Sequence, residues 1–170
     1  MNKGYPLEHE VEQIFLNLAG QRRTNGILTR TFRVPQSGSI RGLKGDVVTN
    51  IPFLKKQFLI ECKARKSEPF YLDPEWLLKI EQEAKETDKI PLLVFSFKGA
   101  KKDRLWCCIR FTDYENLFNE RPIITSKLRL SRKKYSLVRK KLKEYSFCPE
   151  GFLVIKLSTL VQKLEQLNRP

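Results

Sequence analysis

The chain has 170 residues, 41% hydrophobic and 11% aromatic, which suits one globular domain with a real core and excludes a disordered chain. A formal charge of +14, from 33 Lys and Arg against 19 Asp and Glu, points to a polyanionic partner, most simply nucleic acid, bound in a salt-dependent way. No apolar run nears the roughly 18 residues of a membrane span, and there is no signal-peptide pattern, so the expectation is a soluble cytoplasmic protein that binds no membrane.

Leu7 to Ala19 reads as an amphipathic helix, with Leu7, Val11, Ile14, Phe15 and Leu18 at helical spacing and Gly20 as a stop. Glu8 and Glu12 lie at the polar margin of that stripe. They suit solvated charges of the first turns, or in the case of Glu8 a carboxylate leaning into a cleft. The lone histidine, His9, reads as a helix-surface residue and argues against His-based catalysis. Ile27 to Val34 looks like a strand, followed by a Gly/Ser/basic loop from Pro35 to Gly45. Small residues, hydroxyls and the cations Arg41 and Lys44 suit that loop to a phosphate backbone, although the same composition makes an ordinary connection.

The loop runs straight into Asp46 and then into two strands joined by a turn near Asn50-Ile51-Pro52. In the second strand, Gln57 to Ala64, alternation puts Phe58, Ile60, Cys62 and Ala64 on one face and Leu59, Glu61 and Lys63 on the other. The first set can pack on a core. The second puts a carboxylate beside an ammonium, with Asp46 arriving next to them. Two carboxylates at one edge can hold a hard cation such as Mg²⁺, and a lysine beside them can orient or deprotonate a water for attack on a phosphodiester. The same residues also make an ordinary solvated pair.

Asp73 followed by Pro74 marks a helix start, and Trp76, Leu77, Ile80 and Ala84 give its buried stripe up to about Thr87. Ile90 to Phe97 and Leu105 to Phe111 read as strands. The order α-β-β-β-α-β-β predicts an α/β fold, a mixed central sheet flanked by helices. From Arg121 to Phe147 there are ten Lys/Arg against one acid, Glu144. Ser131 to Lys143 is predicted as a basic helix with Tyr135, Val138 and Leu142 inward. Phe152 to Leu157 is a predicted strand, and Ser158 a cap on a final short helix. Residues 1–120 are therefore expected as a core and 121–170 as a basic C-terminal extension packed on or next to it. Cys62, Cys107, Cys108 and Cys148 lack the paired spacing of a zinc site and read as buried, reduced thiols.

These stretches resemble the archaeal-type Holliday junction resolvases of the PD-(D/E)xK nuclease superfamily. Lys3-Gly4 followed by Glu8-His9-Glu10-Val11 is similar to the family's opening, and Arg33-Val34-Pro35-Gln36-Ser37 resembles the start of its active-site loop. Gly45-Asp46-Val47, Ile60-Glu61-Cys62-Lys63 and Ile90-Pro91-Leu92-Leu93 follow in register, so the resemblance covers about residues 3 to 111. Gly45 stands where the family carries proline or valine.

The resemblance implies a restriction-endonuclease-like core with Glu8, Asp46 and Glu61 as ligands of Mg²⁺ (Mn²⁺ substituting). It implies Lys63 as the residue that positions the water and Ser37 as a backbone contact near the scissile phosphate, with Ser39 in reserve. It further implies a homodimer that nicks a four-way DNA junction symmetrically, encoded by an archaeon, a phage or an archaeal virus and acting in the host cytoplasm if viral. The exposed face of the Trp76 helix and the strand from Leu105 to Phe111 are candidate dimer contacts. Arg33, Ser37, Ser39, Arg41, Lys44, Arg65 and Lys66 near the site, with Arg132, Lys133, Lys134, Lys140 and Lys141 in the tail, are candidate DNA contacts. A restriction- or repair-type nuclease on the same core and a non-catalytic nucleic-acid-binding module are the competing readings.

Overall fold

The computed structural model describes residues 5–21, 30–35, 44–65 and 67–170. In chain order the elements are α1 (Tyr5–Leu18), β1 (Phe32–Arg33), β2 (Val47–Val48), β3 (Phe58–Ala64), β4 (Phe70–Leu72) and α2 (Pro74–Glu86). Then come β5 (Ile90–Ser96), β6 (Leu105–Arg110), α3 (Phe111–Phe118), β7 (Ser126–Lys127), β8 (Tyr135–Leu137), β9 (Ser146–Cys148), β10 (Phe152–Lys156) and α4 (Leu157–Leu167). Among the described residues, eight strands form one mixed sheet in the order β1-β2-β3-β5-β6-β10-β9-β7, and β4 pairs with β8 in a separate ribbon. β3 and β5 run parallel, joined through β4 and α2, as a parallel pair requires a crossover. The mixed sheet flanked by helices and the α-β-β-β-α-β-β order are borne out, with the short β4 added before α2.

Strand alternation sorts the core into two layers. Ile60, Cys62, Leu92, Val94, Cys107, Ile109, Leu153 and Ile155 face α1 and α4. Leu93, Phe95, Trp106, Cys108, Phe152 and Val154 face Leu77 of α2 and the inward residues of the ribbon. β5 is buried at all seven positions, the continuous apolar run of a central strand covered on both faces. α2 opens as its sequence dictates: the Asp73 side chain accepts from the Glu75 N–H, and Pro74 takes the first helical position. All four cysteines are free and buried. No helix among the described residues is long and apolar enough to cross a membrane.

Three expectations are corrected. Ser131 to Lys143 is not a helix. Ser131 and Lys134 form an antiparallel bridge, Tyr135–Leu137 is β8, and residues 139–141 are a turn. The physical reason is parity: Tyr135 and Leu137 are both buried with Ser136 exposed between them, a strand's period of two. Second, α4 begins at Leu157, so Ser158 lies inside it. Its N-terminus is served by Glu144, which accepts from the Lys156 N–H at 2.9 Å and from the Thr159 hydroxyl at 2.5 Å. Third, β6 cannot offer a dimer contact, because it is flanked by β5 and β10 and buried at its four inner positions. Residues 121–170 are woven into the same sheet: β10 pairs with β6 along five residues, and β9 and β7 follow outward.

Candidate active site

The site lies where β2 and β3 part. Their ladder ends with Val47 opposite Ile60, and the register is fixed by the turn between them. There Gln57 accepts from the Ile51 N–H at 2.7 Å and donates to the Ile51 carbonyl at 2.9 Å, while the Thr49 hydroxyl accepts from the Phe58 N–H. One residue beyond the ladder, Asp46 is 7% exposed and pinned at three points. Its N–H donates to the Ile60 carbonyl, its carbonyl accepts from the Val34 N–H, and Oδ2 accepts from the Cys62 N–H, each at 2.8 Å. The carboxylate thus occupies the place a neighbouring strand would take beside Cys62.

Gly45 explains how the chain reaches that position. Its φ is +69°, and an added Cβ would lie 2.9 Å from Leu59 Cδ1 and 3.1 Å from the Ile60 carbonyl oxygen. Proline, locked near −65°, cannot adopt this backbone. The glycine in place of the family's proline or valine is therefore the geometry's own requirement.

Glu61 and Lys63 share the face of β3 turned to α2. Lys63 Nζ lies 2.7 Å from Glu61 Oε1 and 5.1 Å from the centre of the Trp76 ring. Arg65 stacks on the same indole at 5.2 Å. A cavity of about 240 Å³ opens in front of Glu61 and Lys63, walled by Trp76, Lys79, Ile80 and Glu83. Trp76, expected only as part of a buried stripe, is a half-buried wall of the site that holds two cations. The nearby Lys63 and Arg65 were the signal for that role.

Glu8 enters from the first turn of α1, half-buried. Burial raises its carboxyl above the usual range, the Glu61 charge adds to the rise, and Arg33 opposes it. Glu12, one turn on, is 2% exposed. It is gripped by Arg30 at 3.2 Å and Arg33 Nε at 3.1 Å, which makes it a structural carboxylate. Arg33, expected as a DNA contact, gives its Nε to that pair.

Cys62 lies next to Asp46, to which its N–H donates. Its thiol is pushed far up chiefly by burial, then by the charges of Asp46, Glu8 and Glu61, with Lys63 acting against them. These charges reach the sulfur across β3, whose other face carries Glu61 and Lys63. The oxygen donors of Glu8, Asp46 and Glu61 have the chemistry of a hard divalent cation's ligands. Among the described residues, no three His, Cys, Asp or Glu side chains are gathered into a ready cage for an ion. Ser37, Ser39, Arg41 and Lys66, together with the Lys3-Gly4 opening, lie outside the described residues.

Residues 1–153 match the family described as "Phage putative PDDEXK endonuclease". The chain belongs to this family. Among solved structures, the chain is similar to the Holliday junction resolvase Hjc of the archaeal hyperthermophile Archaeoglobus fulgidus. The TM-score is 0.54 at 13% identity, over 94% of this chain and 98% of that one, a likeness of fold. A search of curated proteins found no match. The resemblance read from the sequence is thereby borne out at the level of family and fold.

The remaining candidate DNA contacts separate by position. Arg65, Arg132 and Lys134 line one groove beyond the end of β3. Lys133 sits beside Arg132 at an exposed turn, Lys140 and Lys141 are exposed on the 139–141 turn, and Lys44 is exposed just ahead of Gly45.

Proposed function

We propose that this nuclease is a divalent-metal-dependent endodeoxyribonuclease that resolves four-way DNA junctions by paired symmetric nicks, working as a homodimer in the cytoplasm, the host's if virus-encoded. The observation that carries the nuclease chemistry is Asp46, pinned at three backbone contacts beside the end of β3 that carries the Glu61–Lys63 pair at 2.7 Å. The junction and the dimer rest on the resemblance to resolvases and on the Hjc-like fold. The charge of +14 and the free buried thiols suit a polyanionic substrate and a reducing compartment.

Glu8, Asp46 and Glu61 would hold the cation, Mg²⁺ with Mn²⁺ able to substitute, which supplies charge neutralisation at the phosphate and a more acidic water. Asp46 is fixed for this by its three backbone contacts. Lys63, held between Glu61 and the Trp76 face, orients the attacking water toward phosphorus as one P–O bond of the backbone breaks. Ser37 contacts the backbone beside that phosphate.

The test is cleavage of a labelled four-way junction beside matched linear duplex and single strand in Mg²⁺. Paired nicks in the junction are expected, lost with Asp46→Asn and reduced by about 10²–10⁴-fold with Lys63→Ala. Equal cutting of linear duplex moves the function to a restriction- or repair-type nuclease. Tight junction binding without cutting in any divalent metal leaves a binding module.

A further inference from the structure

The ribbon of β4 and β8 has a used face and an open one. Phe70, Leu72, Tyr135 and Leu137 turn into the core, so alternation turns Tyr71 and its register partner Ser136 outward. In front of them lies an open groove of about 1070 Å³, bordered by Arg65 on one side and by Arg132 and Lys134 on the other. Glu68 is the one acid among its described lining residues, and Lys134 lies 3.7 Å from Asp73 at the groove's margin. Tyr71 is 48% exposed on the floor. An aromatic ring open to solvent between cations can take the face of a base while the cations follow the phosphates. In a duplex those base faces are already stacked, so Tyr71 suits an unpaired base.

The turn that carries Arg132 adds an independent sign. Ser131 and Lys134 exchange backbone hydrogen bonds at 2.8 and 3.1 Å across a two-residue loop. Both loop residues are left-handed, Arg132 at φ +51° and Lys133 at φ +67°. Tight hairpin loops of this hand prefer Asn-Gly, for which positive φ is least strained. Here the chain places two long cations instead, and backbone strain held at charged residues beside a groove is a mark of function. The groove also continues the site, since Lys63 and Arg65 lie against the same Trp76 ring.

We propose that this groove binds single-stranded DNA, with an unpaired base stacked on Tyr71 and the backbone running along Arg65, Arg132 and Lys134. Its place beside the cut rests on the nuclease reading above; the binding does not. The preferred substrate is then a four-way junction opened at its branch point, with unpaired nucleotides next to the cleaved phosphate.

The test is fluorescence anisotropy of the full chain in EDTA with oligo-dT, oligo-rU and a blunt duplex as probes. Tyr71→Ala should weaken oligo-dT binding about tenfold or more and leave the duplex unaffected, while Tyr71→Phe retains affinity. Replacing Arg132-Lys133 by Asn-Gly should raise the melting temperature yet weaken oligo-dT binding and flatten its salt slope by about 1–2. Unchanged oligo-dT affinity in Tyr71→Ala, equal loss on the duplex, tighter binding of oligo-rU than oligo-dT, or a lower melting temperature in the turn variant would each overturn the proposal. Loss of oligo-dT binding in Tyr71→Ala together with no cleavage by the wild type in any metal would uphold the groove and sink the nuclease reading. Junction cleavage with oligo-dT affinity unmoved by Tyr71→Ala would do the reverse.

Discussion

Glu8 and Glu12 show how much one helical turn separates in role. Both sit on α1 with the same side chain, yet Glu12 is paired with two arginines while Glu8 is half-buried, and Arg33 offsets only part of the cost of that burial. For Glu8 the folded-state value is raised. Between the ordinary and the raised value the folded chain keeps a proton that the unfolded chain releases. Stability contributed by this group is therefore present at low pH and lost as pH rises through that window, so its charge opposes folding at neutral pH. The metal-free Glu8→Gln variant is expected to melt above the wild type at neutral pH, with the gap closing below about pH 4.5, the ordinary value of a glutamate, and to lose cleavage. A lower melting temperature at neutral pH with full activity would return Glu8 to a surface charge. Spacing alone could not divide these two glutamates, because the arginines that bury Glu12 arrive from 18 and 21 residues away.

Element by element, legibility followed length and parity. β3 could be read because seven residues show the alternation of Phe58, Ile60 and Cys62 against Glu61 and Lys63. β1, β2 and β7 have two residues each, too few to carry any period, and β4 has three. In the basic stretch, Tyr135, Val138 and Leu142 fit a helical spacing, but the closer pair Tyr135 and Leu137 decided the outcome. α3 is hidden although Phe111, Tyr114 and Phe118 follow a helical stripe, because the apolar run of β6 reads on through Phe111. At the start of α4 the local cue, Ser158, misleads, because the group that serves this end is the long-range carboxylate of Glu144. Glu144→Ala is accordingly expected to cost about 1 kcal/mol in denaturant unfolding. Ser158→Ala, at an exposed position, should stay within about 0.5 kcal/mol. Reversal of that ranking would restore the serine as the cap.

At the scale of the molecule, the basic C-terminal third is structural as well as electrostatic. It supplies Leu153, Ile155, Leu160 and Leu164 to one layer of the core and Tyr135, Leu137, Phe152 and Val154 to the other. A chain ending at residue 120 would bare the paired edge of β6 and empty both layers, so it is expected to show no cooperative thermal transition by circular dichroism. A sharp melt would make residues 1–120 an independent unit. The cysteines divide along the same two layers, Cys62 and Cys107 on one, Cys108 and Cys148 on the other. Burial pushes all four thiols up, and the thiolate is the form that reacts. Each sulfur is thus silent to alkylating reagents until its own layer opens. The chain carries a stopwatch on either side of its sheet, with the hand at Cys62 set beside Asp46, the carboxylate that takes its N–H.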